Sequence, residues 1–287
     1  MPQARPIGLK AALILAVAAQ LSVNAGSGFA VRAFDLASPA AMVVFRNGLS
    51  ALVLLVVFRP RLRGISREGW RATIAYGLSM VVMNSFFYEA IDLIPVGPAV
   101  TMEMLGPLAL SVVLVRRWRA WLWAALALAG VATLSGFSLA GVNVLGTVFI
   151  LIAGAAWACY ILAARWVGRC WPSGDGLAIG LAVAALASLP RGLPDLIAPA
   201  VTLEAVGWGA LVALLGTLVP YGLEMVALRG MSAATFGVTS ALAPASAALF
   251  GWMIAGQGMD WWAAGGMVLV MAASAGAARD EALGRAL

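Results

Sequence analysis

Residues 84–109 read NSFFYEAIDLIPVGPAVTMEMLGPLA. An apolar run, a short turn at IPVG and a second apolar run follow one another, with Glu103 inside the second run and Pro107 four residues behind it. A helix that crosses a bilayer needs about 20 mostly apolar residues, and both runs suit that length. Pro107 has no N–H, so the carbonyl of Glu103 loses its helical hydrogen bond. One turn thus offers a carboxylate and a free backbone acceptor, groups tolerated at membrane depth where they face protein, water or a ligand. The alternative is a packing kink with Gly106 as its small neighbour.

The rest of the chain has the same character. Of 287 residues 63% are hydrophobic and 10% charged, with a mean hydropathy of +0.99. A soluble domain carries about 25% charged residues. The composition predicts an all-α integral membrane protein. Ten segments qualify as spans, at roughly 10–31, 39–58, 72–91, 96–115, 120–138, 144–164, 176–190, 205–226, 232–252 and 260–278; the seventh is the shortest. The linkers are brief, among them RPRLRGISREGWR, RRWR, GRCWPSGDG and PRGLPD. The apolar stretch after Lys10 reads as an uncleaved first span rather than a signal peptide.

Basic residues set the orientation. With the N-terminus in the cytoplasm and the spans alternating, the inner side receives Arg5, Lys10, Arg59, Arg61, Arg63, Arg67, Arg71, Arg116, Arg117, Arg119, Arg165, Arg169, Arg229, Arg279 and Arg285. Arg32, Arg46 and Arg191 are left for the outer half. That asymmetry is what the positive-inside rule expects of the right topology, and it puts both termini in the cytoplasm. The net charge of +6 falls between apolar runs and gives no continuous basic surface for nucleic acid.

Shifting the chain by 137 residues lays Pro107 on Pro244, Leu105 on Leu242 and Ala90 on Ala227, without a gap from about 84 to 112. Five spans per half is an odd number, so two such halves must face opposite ways. The expected organisation is two inverted five-helix repeats, 1–140 and 141–287, forming one membrane domain, with a solute site near the midplane between them.

Ionisable groups inside the hydrocarbon cost about 2.5–3.5 kcal/mol each on insertion scales and usually face a cavity or a partner. Glu103 and Glu224 lie within spans, and Glu89 lies near the end of the third. Arg46, seven residues past Pro39, and Glu103, eight past Pro95, enter from the same side to similar depth. They can form an ion pair that fixes the second and fourth spans, or hold the two ends of a zwitterion between them. Asn84, Phe87 and Tyr88 share one helix face, and Tyr221 lies at the repeat position of Asn84. These side chains suit an amino-acid-sized ligand, or Asn84 simply binds one helix to the next. Pro220 and Pro244 free the carbonyls of Gly216 and Ser240 as Pro107 frees that of Glu103. Expected substrate contacts are therefore Arg46, Asn84, Phe87, Tyr88, Glu103, Tyr221 and Ser240, with Glu103 and Glu224 as coupling acids and Pro107, Pro220 and Pro244 as helix breaks. Glu224 can also pair with Arg229 near the span end. Cys159 reads as a small packing residue, and the eleven Trp as interfacial anchors.

With no His, no intramembrane Asp pair and no reactive setting for Cys159 or Cys170, the sequence argues against a membrane enzyme, a metal centre and a cofactor. Residues 84–109 and 219–237 (VPYGLEMVALRGMSAATFG) resemble the EamA-type members of the drug/metabolite transporter superfamily. The matching positions are Asn84, Phe87, Tyr88, Pro95, Gly97, Glu103, Gly106 and Pro107, then Pro220, Tyr221, Glu224, Met225, Thr235, Phe236 and Gly237, with Arg46 early in the second span. The resemblance covers nearly all ten spans. It implies ten helices in inverted repeats, a central cavity, and export of small metabolites such as amino acids across a bacterial inner membrane. Ala243 stands where a family member has an acidic residue, and Gly256-Gln257 where Gly-Glu is frequent. The expected function is a secondary-active exporter of a small amino acid or related metabolite, working by alternating access with protons as the guessed driving ion. A broad-specificity drug or metabolite carrier is the rival. The implied partners are a small solute, the lipid bilayer and protons.

Overall fold

The computed structural model describes residues 8–60, 62, 65–115, 118–134, 143–171, 174–197, 202–228, 230–231, 236 and 239–285. Arg5, Arg61, Arg63, Arg116, Arg117, Arg229, Thr235 and Gly237 lie outside the described residues, as do the side chains of Met225 and Arg285. Among the described residues all regular structure is helical. In chain order the helices are α1 (Leu9–Ala33), α2 (Pro39–Phe58), α3 (Arg67–Leu93), α4 (Val96–Glu103), α5 (Leu105–Val115), α6 (Trp118–Leu134), α7 (Val144–Cys170), α8 (Asp175–Leu196), α9 (Leu203–Ala213), α10 (Val219–Ala227), α11 (Ala243–Ala255) and α12 (Trp261–Arg285). A π-helical turn, Leu214–Leu218, joins α9 to α10 without a break in direction.

Local chemistry sets the helix starts. Ser38, Ser66, Asn143 and Thr202 each accept a backbone N–H from three residues ahead, and Asp260 does the same for Ala263. Pro39 occupies the first turn of α2, where its missing N–H has no partner to lose. Among the described residues seven helices are long and apolar enough to cross a membrane, and three apolar helices are shorter, Val96–Leu110, Trp118–Leu134 and Ala243–Ala255. Large apolar side chains such as Leu52, Val56, Val57, Leu128 and Leu186 face outward, while the interior is rich in Ala, Gly and buried polar groups. Such a distribution suits lipid outside and close helix contact inside. The chain is a helical integral membrane protein.

The main core lies among α1, α2, α3, α4, α7, α8 and α9, with α3 on α7 and α2 on α8 as its broadest contacts. α6 packs along α12, and a smaller core joins that pair to α5. Helices meet at glycines. A Cβ on Gly106 would overlap the Gly154 carbonyl, and one on Gly154 would lie 2.7 Å from the Glu103 carbonyl oxygen. α5 and α7 thus touch backbone to backbone.

Three details differ from the sequence expectations. The seventh span runs through Pro190 and Pro194 to Leu196 instead of ending in a linker. Its last turns are held from the side: Gly192 lies on the backbone of Ala40, Asp195 binds the Ser38 hydroxyl, and Arg191 pairs with Glu89 at 2.9 Å. The fourth span is two helices, interrupted at Met104, where Pro107 withholds its N–H from the turn before it. Cys159 faces outward rather than packing inside, because Gly154 and Ala156 occupy the inner face of α7 there.

Candidate functional site

Arg46 projects from α2 into the core and is 6% exposed. Its three nitrogens are bound separately. Nε donates to Thr217 Oγ1 at 3.0 Å, Nη1 to the Tyr88 hydroxyl at 3.2 Å, and Nη2 to the Gly216 carbonyl at 2.8 Å. The guanidinium also lies 5.5 Å from the centre of the Tyr88 ring, within cation–π range.

The π turn makes this possible. Pro220 has no N–H to give to the turn before it, so carbonyls there are free for side chains. Arg46 takes that of Gly216, and Ser22 of α1 takes that of Leu215 at 2.8 Å. α1 can come this close because Gly26 packs on the Gly216 backbone. A proline that reads as a simple kink therefore anchors the buried cation.

Glu103 closes α4 and is 9% exposed. Among the described residues its carboxylate makes no hydrogen bond and no ion pair within 4.0 Å. The fully enclosed side-chain atoms left without a partner, among those residues, are Asn47 Nδ2 and Ser274 Oγ. The Glu103 oxygens are not among them and so are not fully enclosed. Arg46 and Glu103 lie within electrostatic reach of each other but not in direct contact. The freed carbonyl of Glu103, by contrast, faces Gly154, so at Pro107 the break serves helix packing.

Around this pair the expected residues divide. Tyr88 is fully buried on Arg46, with Phe87 and Phe34 against its ring. Asn84 donates to Asn47 Oδ1 at 3.0 Å, a bond between α3 and α2. Tyr221 lies within electrostatic reach of Arg46. Ser240 stands apart: its hydroxyl donates to the Phe236 carbonyl at 3.0 Å and accepts from Gln20 at 3.4 Å. Pro244 sits in the first turn of α11, and Asn24 of α1 reaches Ser246 beside it at 2.8 Å.

Thr217, Asn47, Tyr76 and Tyr160 belong to the same interior and were not singled out by sequence. Tyr76 and Tyr160 are hydrogen-bonded at 3.2 Å, with ring centres 5.0 Å apart. Tyr221 lies within electrostatic reach of Tyr160, and Glu224 within that of all three tyrosines. The chain has only four Tyr, and all of them gather here, a count that would have flagged the two missed ones. A cleft of about 200 Å³ reaches Tyr76 from the end of the bundle where α3 begins and α7 ends, lined also by Trp171, Val167 and Leu177.

A helical membrane bundle with buried charges that do not pair and a cleft at one end suits a membrane transporter. The chain belongs to the EamA-like transporter family, whose model matches residues 144–278. Its similarity to curated proteins spans most of both chains. It is 32% identical over 248 residues to the threonine/homoserine exporter RhtA of Escherichia coli K12, covering 85% of this chain and 83% of that one. It is 31% identical over 267 residues to the exporter of the same name from Salmonella typhimurium LT2, covering 92% and 90%. A solved crystal structure matches with a TM-score of 0.60 at 20% identity, covering 93% of this chain and 95% of the other, a likeness of fold.

Proposed function

We propose that the protein exports a small amino acid of the threonine or homoserine type across a bacterial inner membrane. One observation carries this. A buried Arg46, neutralised by no carboxylate among the described residues, and a buried Glu103 with no partner of its own face the same interior. Two opposite buried charges left apart are costly. A zwitterion between them satisfies both, its carboxylate on the guanidinium and its ammonium on Glu103. The names of the relatives agree with that chemistry.

Alternating access between two inverted five-helix halves is the proposed mechanism. Adding 137 to α1 gives 146–170, to α2 gives 176–195, to α3 gives 204–230 and to α5 gives 242–252. These ranges fall on α7, α8, α9–α10 and α11. The packing obeys the same exchange. α3 lies on α7 as α1 lies on α9–α10, and α1 meets α11 as α7 meets α4–α5. The pairs α2–α8 and α6–α12 map onto themselves. This supports ten spans, with α4–α5 and α9–α10 each counted once, and repeats at 1–140 and 141–287. The arginine-rich end, with Arg59, Arg67, Arg71, Arg165 and Arg169, is then cytoplasmic, as are both termini. Glu103 and Glu224 are the proposed proton-coupling acids. Pro220 is the break that serves binding, through Gly216.

The deciding experiment is efflux of labelled threonine and homoserine from proteoliposomes holding the purified protein, against protein-free vesicles. Saturable efflux of either is expected. If neither moves while an unrelated organic cation does, the amino-acid assignment fails and the broad-specificity carrier replaces it.

A further inference from the structure

Tyr76 and Tyr160 lie apart from Arg46, and the preceding proposal leaves the tyrosines without a task. Tyr76 is nine residues into α3 and Tyr160 ten residues from the end of α7, so both sit about 14–15 Å from the arginine-rich end at 1.5 Å per residue. Tyr221 and Glu224 lie closer still to that end of α10. Arg46 enters from the opposite side. Tyr76 lines the cleft, Tyr160 is hydrogen-bonded to Tyr76, and Tyr221 lies within electrostatic reach of both Tyr160 and Arg46. The three tyrosines thus stand in order between the cleft and the guanidinium.

Two features separate this cluster from ordinary packing. Tyr160, Tyr221 and Glu224 are only half-buried, so their polar atoms are not sealed inside the bundle. The Glu224 carboxylate, moreover, has no hydrogen bond or ion pair among the described residues. Aromatic faces attract a cation held over them, and a carboxylate beside them fixes it. Hydroxyls and rings around one unpaired acid make a site for a primary ammonium group.

We infer that Tyr76, Tyr160 and Tyr221 with Glu224 form a loading station that receives the ammonium end of the solute from the cleft, before its carboxylate meets Arg46. The inference rests on the amino-acid transport proposed above and adds to it where selection for an amino group is made. The station takes solutes with a free α-ammonium and passes over those without one.

The test measures competition binding to full-length protein in nanodiscs. Its probes are labelled threonine, unlabelled threonine, and 3-hydroxybutyrate, which lacks the amino group. Wild type is expected to prefer threonine. E224Q should reduce that preference at least tenfold and Y160F severalfold, while the affinity for 3-hydroxybutyrate stays within twofold. Y160F keeps the ring and serves should E224Q fail to fold, which monodisperse elution reports. If both variants keep the wild-type preference, the station is refuted and the transport proposal is untouched. If wild type itself neither binds nor carries threonine or homoserine, the transport proposal falls and the station with it.

Discussion

Arg46 and Glu103 are opposite charges in one core that do not meet. Arg46 uses its planar fork on three neutral acceptors set in different directions, Thr217, Tyr88 and Gly216. A lysine keeps the charge but not the fork. Arg46→Lys should therefore weaken threonine binding by about tenfold or more, equal to about 1.4 kcal/mol, read as a rise in the half-saturating concentration for counterflow. Glu103→Gln should abolish efflux driven by a pH gradient yet leave solute counterflow measurable; unchanged gradient-driven efflux would remove Glu103 from the coupling. Both charges were legible in the sequence, since an ionisable group inside an apolar run declares itself. Thr217 and the Gly216 carbonyl, two of Arg46's three partners, were not, since only the crossing of distant helices brings these neutral groups to it. Pro220 was legible as a break, but nothing in the chain says which side chain uses the carbonyl that it frees.

Helices here carry their chemistry where they are irregular. The π turn at Leu214–Leu218 turns two carbonyls toward Ser22 and Arg46, and the interruption at Met104 brings Gly106 onto Gly154. Pro220→Ala restores an N–H that competes for those carbonyls and favours a regular turn. Transport should fall severalfold while the thermal unfolding temperature holds or rises, since a proline is removed from a helix. A variant with full transport would show that the turn does not depend on the proline. Gly154→Leu is the converse case. Its Cβ has no room against the Glu103 carbonyl, so α5 and α7 must part, a loss of about 1–3 kcal/mol read as a lower unfolding temperature in detergent. Span positions were largely readable from apolar runs. Their ends were not, because Pro190 and Pro194 read as a stop. The side support of α2, through Ala40 and Ser38, keeps α8 helical there.

Across the whole molecule, the two ends of the bundle differ. At the end opposite the arginines, polar ties join the first half of the chain to the second. Arg32 Nε donates to the Ile254 carbonyl at 2.6 Å, the Val96 N–H donates to Gln257 Oε1 at 3.0 Å, Arg191 pairs with Glu89, and Ser38 binds Asp195. The arginine-rich end has its own ties between the halves, Trp166 to Glu68, Trp171 to Thr73 and Trp123 to Asp280, but it also has the cleft. Gln257 shows why the departure from Gly-Glu is tolerable, because the bond to α4 needs only a side-chain carbonyl oxygen. Gly256 supports it by ending α11 at φ +66°, which turns the chain back toward α4. Under the proposed alternating access these ties must break together, and their strength would then set how often the far end opens. A hydrogen bond contributes about 1 kcal/mol net, and losing two shifts a two-state balance by about 30-fold. The double variant Arg32→Ala/Gln257→Ala should therefore populate the state open at that end. Spin labels at Leu36 and Met259, with Cys159 and Cys170 replaced by Ser, should gain a longer-distance component by pulsed electron resonance. If the distribution matches that of the parent, these bonds do not hold the gate, and the closed end owes its seal to the glycine-mediated contact of α4 with α11 at Gly97 and Ala248.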